Sequence, residues 1–450
     1  MKRSVFLFII SFVSTFSFAQ TVNYNDVAVI VNVNSQTSID IGNYFQSARN
    51  IPTQNIIQIS APTTEEIDST QFEAVRIQIE NYLLTSDLAD SINYLVTTKG
   101  VPLKVLNECF DGSMSNYSCA SFDSELCLIL SAESSSIGAG SGVNNPVFNN
   151  TQYFSRSTYG IYLVTRLTGY TKQDVYNMID RSGPETGVNR LSAQAILDIN
   201  YSTGGDSSYF HNLFVTPAED YLTTNLWNSV VHPDTLPSQN QSNVFAYMAY
   251  GVNASFNQSL NHSWTEGSIG LIQESFSAST FDLAQNTSGQ LLLGDLIAEG
   301  CTGAMGLANG NFFGLIVSSE TFFNRYLDVA ANYNLAESFY MAEPRLSWQS
   351  VVVGDPKASL RLDNLAGIDD PDELVLRIHP NPSSGMIHIS SEEELASISV
   401  YDTRGTQVKS IPEISGNTTK LDLSELNGGV YLIHIFSESK VKMERIVLTK

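Results

Sequence analysis

Val27-Ala-Val-Ile-Val-Asn-Val33 is an apolar run with one interruption, Asn32. A strand wet on one face alternates apolar and polar residues. A strand that is apolar throughout is covered on both faces, the pattern of a parallel sheet between layers of helices. Working outward from it, Ser38 to Arg49 carries Ile39, Ile41, Tyr44 and Phe45 and predicts a helix. Asn55 to Ile59 predicts a second strand. Gln71 to Leu84 sets Phe72, Val75, Ile79, Tyr82 and Leu83 on one helical face, and Asn93 to Thr98 predicts a third strand. The rhythm continues through strands at Ile161–Arg166, Gln194–Ile199, Val244–Tyr250 and Ile269–Glu274. A helix at Gly289–Glu299 and strands at Gly303–Leu307 and Ser350–Val353 close it. The expectation is an α/β domain on an open, mostly parallel sheet, from about residue 21 to residue 363.

Beyond it the character changes. Residues 364–373 include Asp369, Asp370, Pro371, Asp372 and Glu373, which predicts an extended acidic linker. From Leu374 to Lys450, short alternating runs recur at Val375–His379, Met386–Ser390, Ala396–Tyr401, Gln407–Ile411, Thr418–Leu423, Gly429–Phe436 and Lys440–Leu448. Turn sequences such as Asn381-Pro382, Arg404-Gly405 and Asn427-Gly428-Gly429 separate them. Seven short strands punctuated by turns predict a small all-β antiparallel sandwich.

The other end of the chain reads as a secretion signal, residues 1–19. Lys2 and Arg3 precede the apolar run Val5 to Val13, and Ser17-Phe18-Ala19 supplies small residues at the cleavage position. Cleavage after Ala19 leaves Gln20 first, with signal peptidase and Sec export as the implied partners. The run is shorter than a membrane span requires, and no later segment is apolar enough to be one. The chain has 46 Asp and Glu against 23 Lys and Arg, a formal charge of −23. Such a charge repels phosphate backbones, so nucleic acid is excluded as a natural partner. Four cysteines, Cys109, Cys119, Cys127 and Cys301, accompany export to an oxidising destination. Cys109 and Cys119 flank a turn-rich stretch and are the candidate disulfide. Cys301 reads as a buried small hydrophobe rather than a nucleophile.

In the third piece Pro380-Asn381-Pro382, Gly385, Val400-Tyr401-Asp402, Gly405, Leu421-Asp-Leu-Ser424, Gly429-Val-Tyr431-Leu432 and a basic end through Arg445 and Lys450 follow one another in order. This pattern resembles the C-terminal sorting domain of the Bacteroidetes type IX secretion system. The resemblance implies passage across the outer membrane to a secreted or cell-surface location, with the secretion machinery and its sortase as partners. It implies no catalysis in the module itself. An adhesive fibronectin-like module is the alternative that the sandwich pattern alone leaves open.

The large domain carries no HExxH, GxSxG or phosphate-cradling glycine loop, and no cofactor or metal is expected. Ligands of open parallel sheets gather beyond the carboxyl ends of the strands. The residues there are Lys99-Gly100, Arg166, Asn200, Tyr250 to Asn253 and Glu274 to Ser277. The candidate pocket is Lys99, Tyr250, Asn253, Ser275 and Ser277, although strand ends become polar wherever they reach solvent. Asp123 and Glu125 fall on one face if Phe122-Asp-Ser-Glu-Leu126 is a strand, either gripping a hard cation or lying solvated. Asp355 reads as a turn residue. His211, His232 and His262 lie in polar sequence without metal spacing.

Several stretches resemble an uncharacterised family of exported bacterial proteins with an exosortase-associated distribution. They are Val29-Ile-Val-Asn-Val33, Arg49-Asn-Ile-Pro52, Thr98-Lys-Gly-Val-Pro-Leu103, Ser121-Phe-Asp-Ser-Glu-Leu126, Leu163-Val-Thr-Arg-Leu-Thr-Gly169 and Leu346-Ser-Trp-Gln-Ser-Val-Val-Val-Gly-Asp-Pro356. The strand ending before Gly251, the next with its small-residue loop, and Trp348 through Pro356 are also similar to gingipain-type cysteine peptidases. That resemblance implies a caspase-like sheet with a His-Gly pair after one strand and a nucleophilic cysteine after the next. Here Tyr250 precedes Gly251, and Ser275 to Ser277 stand at the cysteine's place. Tyrosine cannot serve as the base near neutral pH, and serine without a base is inert. The expectation is an exported caspase-like protein acting as a binding or scaffold domain. The alternative is a hydrolase around Ser275–Ser277, with Lys99 or a loop histidine activating Ser277.

Overall fold

The computed structural model describes residues 22–106, 119–132, 142–189, 192–199, 212, 215–225, 227–232, 237–250, 259–285, 290–309, 317–362, 374, 376–391, 393–402, 406–412, 414–437 and 440–449. The signal, the linker, Cys109, Asn200, Asn253, Gly405 and Lys450 lie outside them. Contacts divide the chain into two units, residues 1–362 and 363–450.

The first unit is built on one ten-stranded sheet. Its strands are β1 (Val27–Asn32), β2 (Ile56–Ile59), β3 (Tyr94–Thr98), β4 (Leu163–Leu167), β5 (Gln194–Ile199), β6 (Asn228–His232), β7 (Val244–Tyr250), β8 (Trp264–Ile272), β9 (Gly303–Leu307) and β10 (Ser350–Gly354). Every residue of β1, β3, β4, β9 and β10 is buried, as the unbroken apolar pattern demands. The spatial order is β6-β5-β7-β8-β9-β10-β4-β3-β1-β2. Neighbours run parallel from β2 to β4 and from β6 to β9, whereas β9 and β10 are antiparallel. One isolated bridge of parallel type, Val353 opposite Arg166, joins β10 to β4. The ends of β10 decide its direction. Ser350 O accepts from Ser121 Oγ beside the carboxyl ends of β3 and β4, and Asp355 accepts from Tyr24 just before β1. β10 therefore runs against the other nine.

Each half repeats one pattern, β2-β1-β3-β4 and β6-β5-β7-β8. In both, the chain steps to one side of its first strand and then crosses back to the other. Strand order thus reverses at β1/β3 and again at β5/β7, and at β1/β3 the loops leaving the two strands diverge and open a crevice. Helix α1 (Gln36–Arg49) follows β1, with the Ser35 side chain accepting from Ser38 N, and buries Ile41 and Phe45. Helix α2 (Ser69–Thr85) starts at an Asp68–Gln71 capping box and buries Phe72, Val75, Ile79 and Leu83.

The second unit has a three-stranded sheet of β11 (Leu376–His379), β12 (Met386–Ser391) and β15 (Thr418–Asp422). A four-stranded sheet of β14 (Gln407–Ile411), β13 (Leu395–Tyr401), β16 (Gly429–Ser437) and β17 (Val441–Leu448) accompanies it. All pairings are antiparallel. Burial alternates along β16, with Tyr431, Ile433 and Ile435 inward, and both sheets contribute to one core with Ile387, Ile389, Ile398 and Leu421. That common core makes the pair a sandwich.

Candidate functional site

The crevice at β1/β3 is a cleft of about 470 Å³. Ser35 and Thr37 reach it from the start of α1, Thr63, Thr64 and Glu65 from beyond β2, and Lys99 and Gly100 from the end of β3. Thr168 and Tyr170 follow β4, and Phe281, Asp282 and Gln285 come from the loop after β8 in the other half. The half-buried Lys99 Nζ donates to Phe281 O at 2.7 Å, and burial lowers the ammonium's pKa despite Glu65 and Asp282. The Glu65 carboxylate accepts from Thr280 Oγ1 at 2.6 Å and Phe281 N at 2.7 Å, which pins the loop from the far half. Gly100 has φ +102°, and a Cβ there would collide with Ser35 Oγ, so only glycine lets the β3 loop close on the start of α1.

The other expected pocket residues sit at the ends of β7 and β8. Burial first, and the charge of Glu274 second, push the Tyr250 phenol up to about 12, so it is neutral at neutral pH. Ser275 O accepts from Gln290 Nε2 at 2.6 Å. The fully buried Ser277 hydroxyl donates to Ile272 O and accepts from Leu307 N, each at 3.0 Å. Lys99 and Ser277 are thus each engaged by backbone groups, with no hydrogen bond between them. Phe276 between the serines is exposed and left-handed, with φ +68°.

The reading of Asp123 and Glu125 as neighbours on a strand face is corrected. Ser121 Oγ accepts from Ser124 N and starts a helix, α3 (Phe122–Leu126), in which both carboxylates are buried rather than solvated or open to a cation. Asp123 receives Arg166 Nε and Nη2 at 2.8 and 2.7 Å. The same guanidinium reaches Val101 O and Pro102 O, so Arg166 ties β4 to the loop after Lys99. Glu125 accepts from Ser347 Oγ at 2.7 Å, and Ser121 N donates to Trp348 O. Asp355 is more than a turn residue. It is buried, receives Arg49 Nε at 2.6 Å and the Tyr24 hydroxyl at 2.8 Å, and also accepts from Lys357 N. The stretches around Thr98, Ser121, Leu163 and Leu346 therefore interlock as a buried polar frame beside the cleft, while Arg49, Asp355 and Tyr24 form a second buried polar cluster at the opposite, amino-terminal edge of the sheet. Sequence reasoning found Lys99 but missed Thr37, Glu65, Tyr170 and Phe281. The strand order identifies them, and one sequence does not give that order.

Cys127 and Cys301 are free and fully buried. Burial pushes the Cys301 thiol up to about 12 and raises that of Cys127 further. Cys301 precedes β9 at the amino-terminal edge of the sheet, opposite the edge that carries Tyr250. His232 ends β6, and His262 is buried against Tyr247 and Trp264; His211 lies outside the described residues. No group of three or more metal-ligating side chains occurs among the described residues.

The chain is thus an α/β protein on a mostly parallel sheet, followed by an antiparallel sandwich. Residues 377–449 match the family of secretion system C-terminal sorting domains, which indicates secretion or delivery to the cell surface through the type IX machinery. No curated protein matches the chain. Among solved structures it is similar to the Arg-specific cysteine proteinase gingipain R, at 12% identity over 95% of this chain and 98% of that one, with a TM-score of 0.43. It is also similar to the complex of Porphyromonas gingivalis gingipain pro- and mature domains, at 10% identity over 94% and 100%, TM-score 0.42. No helix among the described residues is long and apolar enough to cross a membrane.

Proposed function

We propose that this is an exported protein with a signal peptide cleaved between Ala19 and Gln20, a sorting sandwich read by the type IX machinery and its sortase, and a core that binds a ligand without cysteine-peptidase chemistry. The observation that carries the core's reading is Ser277. At the strand end where the nucleophile of such a peptidase belongs, its hydroxyl is buried and engaged by Ile272 O and Leu307 N. A nucleophile needs an accessible oxygen or sulfur within reach of a base. The neutral Tyr250 phenol and the buried, protonated Cys301 thiol support the same reading. The test is to incubate the purified full chain with mixed peptides, with and without a thiol alkylator. No cleavage above buffer is expected. Alkylator-sensitive cleavage overturns the reading, and alkylator-insensitive cleavage lost in Ser275→Ala supports the serine hydrolase instead.

A further inference from the structure

The cleft at β1/β3 has a composition that selects its ligand. Its about 470 Å³ admits a molecule of one or two sugar rings. Its wall is hydroxyl-rich, from Ser35, Thr37, Thr63, Thr64 and Thr168, and the Tyr170 hydroxyl, which donates to Asp295 Oδ1 at 2.7 Å, keeps its oxygen as an acceptor. Two cations stand in it, and they differ. Arg166 is buried and closed off by Asp123 and two carbonyls. Lys99 is the other, and among the described residues its ammonium donates to Phe281 O alone. An ammonium carries three N–H donors, so this one can still receive an anion. Glu65 and Asp282 share the wall and oppose any anion beside Lys99, a dianion such as phosphate more strongly than a singly charged ligand. One cation with a hydroxyl surround suits one negative charge on a polyhydroxylated body.

We propose that this cleft binds a sugar acid, a uronate-type monosaccharide unit whose carboxylate pairs with Lys99 and whose hydroxyls meet the Ser, Thr and Tyr side chains. The inference rests on the binding-domain reading of the core and gives that reading a site and a ligand class. Glu65 is the positioning residue, because its carboxylate holds the Phe281 loop whose carbonyl orients Lys99.

The experiment is calorimetric titration of the full-length chain at low ionic strength with D-galacturonate, D-glucuronate, D-galactose and inorganic phosphate. At least one uronate should bind at least tenfold more tightly than galactose and phosphate. Lys99→Met should remove that preference while the thermal unfolding midpoint holds. Equal binding of galacturonate and galactose, tighter binding of phosphate, or no binding of either uronate at 10-millimolar order overturns the proposal, and the wild-type comparison stands even if the variant fails to fold. Peptide cleavage is assayed on the same samples. Cleavage without uronate binding refutes the binding-domain reading, whereas absence of both refutes only this ligand assignment.

Discussion

Arg166 shows how a polar residue at a strand end can serve the frame rather than the ligand. Its guanidinium meets Asp123 in a two-point pair, with both side chains almost wholly buried. Removing one partner of such a pair leaves an uncompensated buried charge, which costs about 3–5 kcal/mol. Arg166→Met should therefore lower the urea midpoint of the first unit strongly. A variant as stable as the wild type would show the pair to be dispensable. Glu343 is fully buried, and burial raises its carboxyl to about 7, against hydrogen bonds from Ser350 and Arg345 N. Its folded pKa lies above its unfolded value, so the folded state holds the proton more tightly. This contribution is fully present below about pH 4.5 and is lost as pH rises toward about 7. Glu343→Gln keeps the shape and cannot ionise. Its unfolding free energy should fall less than that of the wild type between pH 5 and pH 8, and parallel curves would refute the assignment.

At the scale of elements, Gly354 links the end of β10 to the turn that carries Asp355. Its φ is +133°, and an added Cβ would stand 2.6 Å from Leu335 Cδ2 and 2.9 Å from Thr302 O. Left-handed strain of this kind costs about 1–3 kcal/mol before any collision is counted. Gly354→Ala should destabilise the unit by at least that much in denaturant titration, and a neutral result would mean that the turn has another conformation. Element boundaries follow local chemistry closely where caps exist. The Asp68–Gln71 box starts α2 at Ser69, three residues before Phe72, the first residue of the apolar stripe. Phe122 to Leu126 misled because five residues cannot distinguish periods of 2 and 3.6, and the deciding group was the hydroxyl of Ser121.

For the whole molecule, two separate cores predict two separable behaviours. The inward residues of the sandwich belong to their own cluster, distinct from that of the sheet unit. Deleting Leu374 to Lys450 should leave the first unit's unfolding transition in place and strand the protein in the periplasm. Surface delivery of the truncated chain would contradict the sorting role. N-terminal sequencing of full-length secreted material should begin at Gln20, and a sequence starting at Met1 would remove the signal peptide from the reading.

Local pattern alone determined nine of the ten strands of the large sheet, missing the edge strand Asn228–His232, and determined that this sheet is mostly parallel and that the last seven strands form a sandwich. Burial on two faces or one writes itself directly into the spacing of apolar residues, as in Val27 to Val33 and Gly429 to Phe436. The sequence also brought Lys99 forward, because it follows a strand. Only the tertiary structure decided that β1 and β3 stand side by side with β2 outside them, and that β10 runs backward. Only it separated Arg166, locked to Asp123, from Lys99, open to the cleft. Strand order is set by which faces and loops pack together over separations of hundreds of residues. Glu65 meeting Phe281 is such a contact, and neither residue carries a local mark of the other.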